Sequence, residues 1–199
     1  MPNLDIAELD RRAVRAGVDL VSRVTAADLG RATPCSGWNL GELLAHMTEQ
    51  HLGFAAAAAG RGADPEVWRL PAPASDPVAA YAQAADAVIA AFAADGVTGR
   101  EFAIPAISTT MTFPGRRAIS FHLVDYVVHG WDVARPLGLA PEFDDEVLAI
   151  ALKAAQAVPG GQARLQPGAA FAPALDASAG AGTLDQILTL LGRSPSWPE

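Results

Sequence analysis

The sequence predicts an all-α protein, a four-helix bundle with one long crossover and additional helices at its C-terminus. Alanine dominates a composition that is 51 % apolar, and runs of β-branched residues are short, which favours helix over strand. Apolar residues recur at helical spacing in several segments separated by prolines and glycines. A long connection precedes the fourth helix, which fits a bundle with one crossover. We expect a single domain over residues 1–199, with a core bundle at about 5–137 and a C-terminal extension at about 138–199.

Two helices open the chain. The first is predicted over residues 6–24, where apolar side chains recur at helical spacing and Asp5 can cap the N-terminus. A loop containing a proline and a glycine follows. Asn39 then begins the second helix, with Glu42 at the capping-box position, and this helix is expected to end at about Ala59.

The third and fourth helices flank the crossover. Asp76 is followed by a proline, which predicts a helix that runs to about Ala94. Residues 97–113 have an extended pattern interrupted by a proline, so they are expected to form either a short strand pair or an irregular crossover. The fourth helix follows and is expected to run to about Arg135, because Pro136 closes it.

The C-terminal extension is predicted to contain two further helices. The first spans residues 144–158 and is amphipathic. A second capping box at residues 183–186 predicts a short helix over residues 184–191, which ends at Gly192. The intervening residues 162–182 are predicted to form a loop with three helix breakers, Pro167, Gly168 and Pro173.

Charge and composition exclude several classes of function. The formal net charge is −8 with a pI of about 4.9, so no basic patch is available for nucleic acid or for an anionic membrane surface. The single cysteine, Cys35, fits a reducing compartment. The first residues carry no signal pattern, and no apolar run approaches the roughly 20 residues that span a bilayer. We therefore expect a cytoplasmic protein.

The fourth helix contains most of the candidate metal ligands. It holds two of the four histidines, His122 and His129, with Asp125 between them. Asp125 and His129 lie one helical turn apart on one face, a spacing that can bind one metal ion. A third ligand must come from elsewhere, and His46 on the second helix is the candidate. A histidine among apolar residues is more often a core residue than a ligand, so both interpretations of His46 stay open.

Neighbouring residues offer alternatives. His122 lies on the same stripe, and it could replace Asp125, add a fourth ligand or hydrogen-bond to a ligand. Asp132 could orient His129, or it could be a charge at the helix end. His51 points to another face and is expected to be exposed. Gly130, in mid-helix, indicates close packing or ligand approach, and Cys35 is expected to be a small buried residue.

Two long motifs resemble a known family. The segments TPCSGWNLGELLAH at residues 33–46 and DYVVHGWDVA at residues 125–134 resemble actinobacterial proteins related to mycothiol-dependent maleylpyruvate isomerase, within the DinB-like superfamily of metal-binding four-helix bundles. The tail at residues 184–195 resembles the end of a short subgroup. The resemblance implies a divalent metal, usually zinc and otherwise an ion such as nickel, held by His46, Asp125 and His129. The isomerase carries glutamate where this chain has Asp125, which is one methylene shorter.

The chemistry that fits this resemblance is thiol activation. A thiol at the open position of the metal would lose its proton and attack a small electrophile, as in an isomerase or a transferase, and mycothiol is the implied thiol. Trp38 and Trp131 flank the ligands and are expected to border the pocket. The rival hypotheses are a non-catalytic metal-binding or small-ligand-sensing bundle and, as a third, a metal-free interaction module. A homodimer is left open as the assembly.

Overall fold

The structure is a computed structural model that describes residues 5–69, 74–166 and 169–198. The predicted breakers Pro167 and Gly168 and the residues before Asp5 lie outside the described part of the chain. Within it the chain forms these α-helices and strands: α1 (Ile6–Val21), α2 (Leu40–Ala58), α3 (Pro77–Phe92), β1 (Glu101–Ala103), β2 (Thr112–Pro114), α4 (Gly115–Ala134), α5 (Asp145–Gln156) and α6 (Thr183–Leu190).

Most of the predicted helix starts are confirmed. The carboxylates of Asp5 and Asp76 accept hydrogen bonds from backbone amides in the first turns of α1 and α3. Asn39 and Glu42 form a complete capping box, in which each side chain accepts from the other residue's amide at 2.9 Å. These local hydrogen bonds satisfy amides that would otherwise have no partner, so each fixes where its helix begins.

Two predicted helix boundaries are wrong, the start of α6 and the C-terminal end of α1. The capping box at Thr183 does not form, because Thr183 is the first helical residue of α6 and Gly182 is the N-cap, without a side-chain hydrogen bond. Helix α1 ends at Val21 rather than at Val24. Shortly after this end of α1, the backbone amide and the hydroxyl of Thr25 both donate to Oδ2 of Asp28, at 2.9 and 2.6 Å. This local alternative to helical hydrogen bonding accounts for the earlier end.

The crossover between α3 and α4 contains a strand pair, one of the two alternatives that the sequence left open. Strands β1 and β2 are antiparallel, with Phe102 opposite Phe113, and both phenylalanines are buried against the helices. Each strand has three residues, so the fold remains an all-α bundle with one small hairpin. The hairpin occupies the long connection that carries the chain from the end of α3 to the start of α4.

The helices pack so that α1 contacts α4 and α3, while α2 packs chiefly on α3. Helices α2 and α4 touch over a shorter stretch, and this is where the candidate ligands face each other. Helix α5 packs on α4 through Val147 and Ala151, and α6 then packs on α5. Both C-terminal helices therefore join the hydrophobic core that contains α4. No helix among the described residues is long and apolar enough to cross a bilayer.

Candidate metal centre

The three predicted ligands come together between α2 and α4. His46, Asp125 and His129 each offer one donor atom, and these atoms all lie within 4.8 Å of one another. The Nε2 atom of His129 lies 3.5 Å from Oδ1 of Asp125, and the rings of His46 and His129 have centroids 5.4 Å apart. Helix periodicity places Asp125 and His129 one turn apart, and the contact between α2 and α4 brings His46 to them.

The three candidate ligands differ in how far they are buried. His129 is 5 % exposed, whereas the Asp125 side chain is 25 % exposed and His46 is half-buried. Burial lowers the pKa of His46 and outweighs the opposing effect of Asp125. His46 therefore favours the neutral form, which is the form that binds a metal. Two of the three candidate ligands, His46 and Asp125, are therefore partly exposed, while His129 is buried.

Asp132 orients His129, as one of the two interpretations of Asp132 predicted. Its Oδ2 atom lies 3.0 Å from Nδ1 of His129. A proton on Nδ1 then donates to Asp132, and the lone pair on Nε2 faces Asp125 and His46. Burial opposes a charge on His129, but Asp125 and Asp132 together raise the pKa of His129 above its ordinary value. Burial also opposes the charge on Asp132, yet His129 and Arg193 hold the pKa of Asp132 below its ordinary value.

Sequence reasoning missed Arg193. This residue follows α6, is 8 % exposed, and donates to both carboxylate oxygens of Asp132 from Nη2 at 2.9 Å and Nε at 3.3 Å. Residues 132 and 193 are 61 positions apart, so no local pattern connects them. The only local signal was Gly192, which marked the end of a helix without indicating where the next side chain would point.

Cys35 also lies near the cluster. Cys35, His129 and Asp132 form a second group of donor atoms within 4.8 Å of one another, and Cys35 is half-buried rather than fully buried as expected. Burial and the nearby Asp132 raise the pKa of the Cys35 thiol to about 11. Because Asp132 is already engaged by His129 and Arg193, this group suits a cation less well than the first one.

His122 faces away from the cluster. Its Nδ1 atom lies 2.7 Å from Oδ1 of Asp10 on α1, and its Nε2 atom lies 3.1 Å from Nδ1 of His51 on α2. Both ring nitrogens are therefore engaged in the core. The interpretations in which His122 replaces Asp125 or adds a fourth ligand find no support in this geometry.

The prediction that His51 is exposed is wrong. His51 is fully buried, and its ring stacks on Tyr126 of α4 with centroids 3.9 Å apart and an angle of 11°. The ring of Tyr81, on α3, lies 5.1 Å from that of His51. Helical phase correctly separated His51 from His46, but α3 and α4 cover the face on which His51 lies.

The two tryptophans differ in their surroundings. The ring of Trp38 lies 4.5 Å from that of His46, so Trp38 borders the cluster as expected. Trp131 is instead 5 % exposed and belongs to the hydrophobic core. Gly130 serves close packing, since a Cβ atom built there would lie 2.9 Å from Cζ of Phe143.

Comparisons with known proteins bear on this site. Residues 11–134, which contain all three candidate ligands, match the family described as the mycothiol maleylpyruvate isomerase N-terminal domain. Two uncharacterized proteins of Mycobacterium tuberculosis, from strains CDC 1551 / Oshkosh and ATCC 25618 / H37Rv, are each 32 % identical over 191 residues, covering 92 % of this chain and 95 % of the relative.

Two solved structures share the fold. The crystal structure of the mycothiol-dependent maleylpyruvate isomerase has a TM-score of 0.58 at 15 % identity, and it covers 79 % of this chain and 69 % of that one. A mutant of the same isomerase has a TM-score of 0.58 at 14 % identity over the same shares of the two chains. This likeness confirms the predicted DinB-like helical fold. Arg193 lies outside the residues that match the family.

Proposed function

We propose a function from one premise, that this chain belongs to the family of the mycothiol maleylpyruvate isomerase N-terminal domain. We infer that His46, Asp125 and His129 hold a divalent cation, zinc or another ion such as nickel. We further infer that the protein uses a small thiol, mycothiol, in an isomerisation or transfer reaction on a small electrophile. The solved isomerase that shares this fold is mycothiol-dependent, which supports the choice of thiol.

The observation that carries the proposal is the convergence of the three donor atoms, which all lie within 4.8 Å of one another. Two imidazoles and one carboxylate are a ligand set typical of catalytic zinc sites, which keep an open coordination position. The donor set also fits in detail, because Asp132 engages Nδ1 of His129 and leaves Nε2 for the ion. Ligands with this kind of outer hydrogen bond are characteristic of metal sites.

The charges around the cluster favour an anionic ligand at that open position. A bound zinc ion would supply the positive charge that stabilises a thiolate over a thiol. Asp125 contributes one negative charge, and the two histidines contribute none in their neutral form. Asp132 adds no net charge, because Arg193 forms an ion pair with it at 2.9 Å. The ring of Trp38 lies beside that of His46, with centroids 4.5 Å apart.

Two reactions are consistent with a thiol and an electrophile. In an isomerisation, a sulfur–carbon bond forms and later breaks, so the thiol is returned unchanged. In a transfer, the sulfur–carbon bond remains, the leaving group departs with its electron pair, and the thiol proton passes to solvent. The two differ in whether thiol is consumed, so titrating free thiol during turnover would distinguish them.

The alternative is a non-catalytic bundle that binds a metal or senses a small ligand. Such a site would normally be closed by a fourth protein ligand. His122 was the candidate for that role, and its ring nitrogens face Asp10 and His51 instead. The position of His46 beside His129 weighs against a metal-free interaction module. These contacts favour the thiol-using enzyme.

Cobalt substitution tests the proposal. Cobalt-loaded protein titrated with mycothiol is expected to develop a thiolate charge-transfer band in the near ultraviolet, and the His46→Ala variant should develop none. Cobalt-loaded protein that shows no band at millimolar thiol would contradict thiol activation and leave the sensing alternative.

A further inference from the structure

We propose that Arg193 is a positioning residue of the metal centre, acting through Asp132 on His129, so that the C-terminal segment helps to set how tightly the centre holds its ion. The inference rests on the proposed function because it takes His129 as a metal ligand. Its basis is a chain of direct contacts from Arg193 to Asp132 and from Asp132 to Nδ1 of His129.

The hydrogen bonds at the C-terminus of α6 fix the backbone conformation that leads to Arg193. Gly192 adopts a left-handed conformation with φ of +78°, and its amide donates to the carbonyl of Thr189 at 3.1 Å. The amide of Arg193 donates to the carbonyl of Leu188 at 2.8 Å, which completes a Schellman motif. A Cβ atom at residue 192 would lie 2.8 Å from the carbonyl oxygen of Ala172, so a glycine is required there.

The C-terminal half of α6 packs in the hydrophobic core. Ile187 and Leu188 are fully buried in the hydrophobic cluster that also contains residues of α4. Helix packing therefore sets the position of α6, and the Schellman motif sets the direction of the next residue. Together they bring the Arg193 side chain to Asp132 on α4, where Arg193 is 8 % exposed.

The contact between Arg193 and Asp132 restrains the carboxylate in two directions. Nη2 lies 2.9 Å from Oδ2, and Nε lies 3.3 Å from Oδ1, so both oxygens are engaged. Oδ2 also accepts from Nδ1 of His129. A planar guanidinium that meets both oxygens limits rotation of the carboxylate and thereby holds the oxygen that orients the imidazole. Without Arg193, the contact with His129 would be the one side-chain hydrogen bond of Asp132 left among the described residues.

Arg193 also compensates for the burial of Asp132. The Asp132 side chain has no exposed surface, and a buried carboxylate is unfavourable unless it is paired. Arg193 also contacts Cys35, from Nη2 to Sγ at 3.5 Å. The competing explanation is that Arg193 only anchors the C-terminal segment. The experiment must therefore separate anchoring from positioning.

Arg164 provides the matched control. Its guanidinium donates to backbone carbonyls of the same extension, including those of Val158, Pro159 and Leu190, and these contacts do not involve Asp132. Arg193→Met and Arg164→Met each remove an arginine that holds this extension, but only the first removes a partner of Asp132. Arg193→Lys retains the charge and loses the planar guanidinium.

Zinc affinity, measured by competition with a chromophoric chelator, is the first measurement. We expect Arg193→Met to bind zinc about tenfold more weakly, the lower end of the effect of losing an outer hydrogen-bond partner. Arg193→Lys should lie between Arg193→Met and the unchanged protein, and Arg164→Met should bind zinc normally even if it unfolds at a lower temperature. Normal zinc affinity in folded Arg193→Met, or an equal loss in Arg164→Met, would overturn the proposal. If Arg193→Met fails to fold, the zinc affinity of Arg193→Lys is compared with that of Arg164→Met and of the unchanged protein instead.

The tautomer of His129 is the second measurement, and it requires no metal. Long-range ¹⁵N–¹H correlation spectra of the metal-free protein, recorded at a pH above the raised pKa of His129 so that its ring is neutral, should show the His129 proton on Nδ1, with the signal assigned by its loss in His129→Gln. We expect Arg193→Met to lose this preference and Arg164→Met to keep it. If the unsubstituted protein binds no zinc, the proposed function fails, while the tautomer still decides whether Arg193 positions His129. A preference for Nδ1 unchanged in Arg193→Met would overturn the inference.

Discussion

The Nδ1 atom of His122 lies 2.7 Å from Oδ1 of Asp10, and both side chains are fully buried. His122 also contacts His51, so three polar side chains from α1, α4 and α2 meet within the core. Oδ2 of Asp10 and Nε2 of His51 have no hydrogen-bond partner among the described residues. Burial raises the pKa of Asp10 against the opposing effect of His122. A buried pair of this kind is costly to break, because the polar group that remains loses a hydrogen bond that compensates for its burial.

The Asp10–His122 pair is expected to support the fold rather than metal binding. Asp10→Ala and His122→Ala should each lower the free energy of unfolding by about 3–5 kcal/mol, measured by chemical denaturation, while folded protein keeps its zinc. Asp86→Ala is the control, since Asp86 forms an exposed ion pair with Arg15 and should change stability by about 0.5 kcal/mol or less. Loss of zinc from a His122→Ala variant of unchanged stability would make His122 a ligand.

Replacing a ligand should remove the metal without unfolding the bundle. We expect His46→Ala and Asp125→Asn to lose stoichiometric zinc by metal analysis while the helical circular dichroism signal stays, because each removes one of three donors. Asp125→Glu retains a carboxylate at this position, so it should keep zinc. Glu49→Gln, one turn beyond His46 and outside the donor cluster, is the control. Full zinc occupancy in His46→Ala would refute the ligand assignment.

Zinc affinity should weaken as the pH falls, since only neutral imidazole binds the ion. Asp125 and Asp132 overcome the effect of burial and raise the pKa of His129. Protons therefore begin to compete with zinc for His129 at a pH above the ordinary histidine pKa of about 6.5. Burial lowers the pKa of His46, so His46 contributes to the loss only below that value. Chelator competition from about pH 8 to pH 5 measures the effect. Constant affinity across this range would argue against a histidine-based site.

Ligand binding should be visible in the fluorescence of Trp38. Its ring lies 4.5 Å from that of His46, so a thiol bound at the centre is expected to quench its emission. Trp38→Phe should lose the quenching, whereas Trp131→Phe should keep it, because Trp131 packs in the hydrophobic core. Quenching that survives in Trp38→Phe would mean that thiol binds elsewhere.

The sequence by itself determined the features that depend on neighbouring residues. The capping box of Asn39 and Glu42 was readable, because each of its hydrogen bonds spans three residues. The placement of Asp125 and His129 on one face of α4 followed from helical periodicity alone. The prediction of a capping box at Thr183 was wrong although it used the same local rule, because Gly182 takes the N-cap position.

Only the tertiary structure decided which helix faces meet. Periodicity fixed the direction of His51 relative to His46, but the packing of α3 and α4 buried His51 against Tyr126. The partners of His122 lie 71 and 112 residues away in sequence. The contact of Arg193 with Asp132 depends in the same way on how α6 packs in the core and where its last turn directs the chain. Such contacts arise from helix packing and the path of the crossover, which local hydrogen bonding and periodicity do not specify.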